Sequence, residues 1–143
     1  MIHRRVNFLI TLLCMVSLNL QAEVKPNLVL LPMIVSEQEA NYKSEYGSVL
    51  QQGLQKRYTV FYGPAVEKEL EKEYAKIDCT TEACNQNVAI AFNGELVADS
   101  SVKLTSSGYI LKMVIRNVFT NEVIETETQG CEVCNEVTVI EML

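Results

Sequence analysis

The stretch Cys79–Val102, "CTTEACNQNVAIAFNGELVADSSV", carries two structural periods back to back, and the junction between them decides the fold. Thr81 to Phe92 reads as an apolar helix with Thr80 as its N-cap, and Asn93-Gly94 supplies a left-handed stop. From Leu96 onward the apolar period is two residues instead of three to four. Leu96–Leu104, Tyr109–Val118 and Val123–Gln129 then read as three strands joined by "TSSG" and "FTNE" turns, an antiparallel meander. In its last hairpin Leu111, Met113 and Ile115 share a face, with Lys112 and Arg116 pointing away. Glu125 is expected opposite Arg116.

Upstream of the junction helices dominate. "PNLVLLPMIV" predicts a first strand, Asn27–Val35, apolar on both faces as a central strand is, with an irregularity at Pro32. Ser36 and Glu39 match a capping box, and the next helix buries Tyr42, Tyr46, Val49, Leu50, Gly53 and Leu54 while exposing Gln51, Gln52 and Gln55. "YTVFY" is a short second strand, and Gly63-Pro64 opens another helix. That helix has Val66, Leu70, Tyr74 and Ile77 as its stripe and "EKELEKE" mainly on its solvated face, held by pairs such as Glu69 with Lys72. A closing helix from Glu132 to Leu143 is weakened by the β-branched run Val137-Thr138-Val139. The expected order is β-α-β-α-α-β-β-β-(α). This is an α/β (α+β) fold: helices packed on a mixed sheet that ends in an antiparallel meander.

The 143-residue chain has room for one domain and a leader. Residues 1–22 read as a signal peptide: His3, Arg4 and Arg5, then the apolar "FLITLLCMVSLNL", then Leu20-Gln21-Ala22. The apolar run is short for a membrane span, and "TLLC" lacks the small residue a lipidation site at Cys14 needs. The expected mature domain is 23–143, periplasmic or secreted, with no membrane span. Cleavage removes two arginines and no acid, leaving 10 basic against 18 acidic residues, a balance of −8 that disfavours nucleic acid. It also removes the single histidine. Ser-His-Asp and Cys-His couples and His-ligated zinc are thereby excluded, and Asn135 stands where a CxxCH haem motif needs histidine. No phosphate-cradling glycine motif is present, so the sequence calls for no cofactor.

Four cysteines remain: Cys79, Cys84, Cys131 and Cys134. In an oxidising compartment they read first as two disulfides. With Thr80 as N-cap, Cys79 is N′ and Cys84 is N4, the two positions that a hydrophobic staple brings together. Such a bridge closes a loop worth about 2 kcal/mol, against about 4 for a crossed bridge from Cys79 to Cys131, and all three pairings stay open. Two other readings compete. Cys131-x-x-Cys134 after a strand resembles a thiol-disulfide oxidoreductase site, although Glu132 and Glu136 disfavour a thiolate there. A four-thiolate zinc site would have to span the 46 residues between the pairs. A small-ligand domain would need a large apolar pocket.

The strand "LVLLP", the segment "RYTVFYG", the long "CTTEACNQNVAIAFNGELVADSSV", then "GYILKMVIRNV", "TNEV" and "GCEVC" together resemble a family of exported bacterial domains. These are related to the TolB amino-terminal domain and to the CsgG and LpoB envelope lipoproteins, and the resemblance runs from about Asn27 to Cys134. Phe92-Asn93-Gly94 replaces a Leu-Gly-Ala-like turn, and Thr120-Asn121-Glu122 replaces Thr-Gly-Glu. The resemblance implies a non-enzymatic binding or assembly module with an envelope protein partner, compatible with a homo-oligomer, and no catalytic residues. The expected contact surface is an exposed sheet edge or the acidic second helix.

Overall fold

The computed structural model describes residues 24–76, 80–132 and 134–143. Along them run β1 (Asn27–Leu30), β2 (Ile34–Val35), a 3-10 helix (Glu37–Tyr42), α1 (Lys43–Leu54), β3 (Thr59–Phe61), α2 (Pro64–Tyr74), α3 (Thr81–Ala91), β4 (Leu96–Thr105), β5 (Gly108–Asn117), β6 (Val123–Cys131) and α4 (Glu136–Met142). The mixed sheet has the order β3-β1-β4-β5-β6, with β2 pairing alongside β4. Pairings among β1, β2, β3 and β4 are parallel, and the β4-β5-β6 meander is antiparallel.

The expected first strand is two strands. After Leu31 the chain passes Pro32, which has no N–H to donate, and resumes pairing with β4 at Ile34–Val35. β1 is buried on both faces, because helices cover both sides of that half of the sheet. Leu28 and Leu30 face α1 and α4 in a core with Tyr46, Leu50, Leu54, Ala98, Val102, Ile115 and Val139. Val29 and Leu31 face α2 and α3 in a second core with Val66, Val88, Ala89, Val97 and Val118.

Local signals behave as the residue chemistry dictates at most boundaries. The Thr80 side chain caps α3 by accepting from the Ala83 N–H at 3.3 Å. Asn93 takes φ 52° and the Gly94 N–H returns to the Ala89 carbonyl at 2.8 Å, closing the helix. Asn121 is also left-handed, at φ 58°. Gly108 opens β5 at φ 121°, and a Cβ there would strike the Cys131 carbonyl of the neighbouring strand, so only glycine fits.

Four expectations change. Ser36 caps the 3-10 helix by position but makes no side-chain cap bond, and Glu39 does not reach back to it. Glu39 is instead buried, as described below. On α2 the buried stripe is Val66, partly Leu70, then Glu73 at 4% exposure, while Tyr74 is 46% exposed. The cause is contact with α3, whose Asn87 amide donates to Glu73 at 3.1 Å; Ile77, the last residue of the expected stripe, lies outside the described residues. Glu125 does not pair with Arg116. An irregularity between Ile115 and Arg116 sets Glu125 opposite Ile115 and Arg116 opposite Val123, which places the two side chains on opposite faces. Finally, the closing helix starts at Glu136 rather than Glu132, because the Cys131–Cys134 disulfide occupies the turn before its cap, Asn135.

Candidate functional site

Of the four expected cysteines, Cys131 and Cys134 are joined in a disulfide. Cys131 ends the edge strand β6, half-buried, and Cys134 packs against the first core one residue before the α4 cap. A thiol-oxidoreductase pair places its attacking thiol at the helix start, where the dipole lowers its pKa. Here the whole bridge precedes the cap, and it acts as a clamp between strand and helix. Cys84 is fully buried at the fourth position of α3 and is disulfide-bonded; Cys79, its expected partner, lies outside the described residues. Three of the four thiolates required for the zinc reading are therefore committed to disulfides.

A polar cluster that the sequence did not announce sits in the first core. The Glu39 carboxylate, 2% exposed, accepts from the Tyr46 hydroxyl at 2.8 Å and from the Tyr109 hydroxyl at 3.0 Å. Charge-assisted bonds of this kind offset the cost of burying a carboxylate, and they tie the 3-10 helix to α1 and to β5. No linear signal could have found it, since Tyr109 lies 70 residues from Glu39.

The two expected contact surfaces differ in character. On α2 half of the charged residues are paired, Lys72 with Glu69 at 2.7 Å and Glu73 with Lys76 at 2.5 Å, while Glu67, Lys68 and Glu71 stand exposed. The Lys76 bond is the main reason the Glu73 carboxyl is held below its ordinary range. By contrast β6 is open. Its nine residues end the sheet with no described strand beyond them, and they include no proline, lysine or arginine. Its faces alternate: Glu125, Glu127 and Gln129 share the face of Ile115, Met113 and Leu111, while Thr126 and Thr128 lie on the other. Arg57 reaches Glu125 at 3.0 Å and the Tyr58 hydroxyl approaches it at 3.4 Å, so the strand is braced against the end of α1. Burial pushes the Tyr58 phenol upward. At the start of β6, Phe119 (74%), Val123 (46%) and Ile124 (53%) leave apolar surface in solvent. Among the described residues no helix is long and apolar enough to cross a membrane.

No family model matches the sequence, and no curated protein matches it. Solved structures do resemble it in three dimensions. The LpoB C-terminal domain from Salmonella enterica superposes with a TM-score of 0.57 at 14% identity, covering 79% of this chain and 87% of that one. A lipoprotein from Neisseria meningitidis gives 0.56 at 12% identity, covering 81% and 89%. PelC from Paraburkholderia phytofirmans, a dodecamer, gives 0.51 at 16% identity, covering 83% and 81%. The likeness is one of fold. It bears out the LpoB-like part of the expectation, a mixed sheet with helices packed against it.

Proposed function

We propose that this chain is an exported, non-enzymatic module of the bacterial cell envelope that binds another envelope protein by accepting a strand at β6. Residues 1–22 would be its export signal, and a Cys79–Cys84 bridge would complete the pair of local disulfides. The observation that carries the reading is the long, uncovered β6 edge. Among the devices that blunt natural edges, β6 carries an irregularity at its start and two core-side carboxylates. It is nevertheless nine residues long, has no lysine or proline, and keeps a regular register over residues 125–131. The LpoB-like fold supports an envelope setting. The TolB and CsgG side of the resemblance rests on the sequence pattern.

The carboxylates of β6 narrow the partner. An antiparallel pairing of two copies of β6 that keeps faces aligned sets Glu127 opposite Glu125 or Glu127 in two of its three central registers, where like charges directly opposite are destabilising, and opposite neutral Gln129 in the third. A foreign strand with lysine or arginine at alternate positions meets no such cost. Self-association, for which the PelC dodecamer is a precedent of fold, would use another surface.

A photo-crosslinking residue placed singly at Thr126, Thr128, Lys68 or Glu71, in cells that make the protein, tests the proposal. Adducts from the two β6 positions and not from the two α2 positions are expected, with slowed amide exchange along β6 in the purified complex. Adducts confined to α2 would refute the edge-strand reading.

A further inference from the structure

On the face of the sheet away from α1 and α4, the first turns of α3 stand off the meander and leave a cleft of about 310 Å3. It is lined by Thr81, Glu82, Asn85 and Gln86 from α3, Val97 and Asp99 from β4, Arg116 from β5, and Asn121 from the following turn. Three observations set it apart from a packing gap. First, Asp99 is only partly exposed, and burial pushes its carboxyl above the ordinary value while Arg116 pulls it back. Second, Arg116 pairs across the ladder with Val97 and Asp99 with Val114, so the two charged side chains are diagonal neighbours on one face. Diagonal neighbours lie about 7 Å apart, within reach of a side chain as long as arginine, yet Arg116 and Asp99 do not close on each other. No ion pair engages Arg116 among the described residues. Third, three of the other polar groups are held in place: Asn85 donates to Asp99 at 3.4 Å, Tyr74 donates to Asn85 at 3.3 Å, and Asn121 donates to Glu82.

Alternation along β5, in unbroken register with β4, puts Arg116 on the face of Val97 and toward the helix layer, while the irregularity in β6 sets Glu125 on the other face. The cleft thus presents one guanidinium fork engaged in no ion pair among the described residues and, in the same lining, the two carboxylates Asp99 and Glu82. We propose that it is a binding site for a small zwitterion of amino-acid or dipeptide size. The ligand carboxylate would lie on the Arg116 fork, and its ammonium would lie between Asp99 and Glu82. A guanidinium matches a carboxylate through two parallel N–H donors, and an ammonium adds charged donors to the long bond that Asp99 accepts from Asn85. The ligand bridges the gap that keeps Asp99 and Arg116 apart, and the site is separate from the β6 edge.

Chemical-shift titration of the protein with glycine and glycylglycine, against N-acetylglycine and glycinamide, tests both ends. Comparison of glycine with glycylglycine distinguishes a free amino acid from a peptide. At least one zwitterion should shift amides of β4, β5 and the start of α3 at millimolar concentration, with each blocked compound weaker. Arg116→Met should lower that affinity about tenfold to a hundredfold and leave glycinamide unaffected. Asp99→Asn should remove the advantage of the free amine, and bound zwitterion should move the Asp99 side-chain titration downward in the wild-type protein. If Arg116→Met does not fold, Arg116→Lys keeps the charge without the fork and should still weaken carboxylate recognition. The proposal is overturned if no zwitterion shifts these amides, if blocked and free compounds bind alike, or if the Arg116 variant that folds binds as the wild type does.

Discussion

Replacing Tyr109 by phenylalanine removes one hydroxyl and no packing volume, yet it should be among the more damaging conservative changes in this protein. The hydroxyl donates at 3.0 Å to Glu39, which is 2% exposed and takes its other tyrosine bond from Tyr46 at 2.8 Å. A hydrogen bond to a buried charge is worth roughly 1.5–3 kcal/mol, so Tyr109→Phe should cost about 2 kcal/mol. For a domain of this size that corresponds to a fall in Tm of roughly 8 °C. Tyr46→Phe should cost a similar amount. Glu39→Gln keeps the shape and can accept from one tyrosine while donating to the other, so its loss should be smaller, about 1 kcal/mol. Combining Tyr109→Phe with Glu39→Gln should cost less than the sum, since both act on one network. Urea unfolding of the four variants at neutral pH measures this, with Tyr74→Phe as a control on an exposed hydroxyl that bonds Asn85 at 3.3 Å. If Tyr109→Phe shifts the midpoint no more than Tyr74→Phe does, the buried carboxylate is not held by these bonds and the reasoning fails.

Gly108→Ala should destabilise by about 2 kcal/mol or more, read by the same unfolding assay, because alanine is strained at φ 121° and its Cβ would meet the Cys131 carbonyl. Cys131→Ser with Cys134→Ser should cost about 2 kcal/mol by the loop-closure argument, and full reduction of the wild type, which also opens the bridge at Cys84, should cost more. Glu73 is depressed in the folded state, so its contribution is full above the ordinary carboxylate pKa and is lost as pH falls through the folded value. Lys76→Met should therefore flatten the acid limb of the stability–pH curve. Asp99 is raised, so its sign is opposite: the folded state holds the proton longer, and stability from this group is lost as pH rises through the folded value. Arg116→Met should raise its titration further, as a carboxyl-detected titration would show.

The linear sequence determined what depends on neighbours a few residues apart. The change of period at Asn93-Gly94, the Thr80 cap, the left-handed asparagines and the "TSSG" and "FTNE" turns all act within one turn of chain, and the helices and the meander follow from them. Tertiary structure decided what depends on register and on packing between distant segments. A one-residue irregularity in β6 beside Arg116 is invisible to hydrophobic alternation, yet it set Glu125 on the face where Arg57 reaches it and left Arg116, on the other face, beside Asp99. Likewise Glu39 reads as a capping residue until β5 brings Tyr109 against it, and Glu73 reads as solvated until α3 covers it. For Glu39 and Glu73 the competing local arrangement is worth only about 1 kcal/mol, as a cap or a surface pair, and a buried, charge-assisted contact outweighs it.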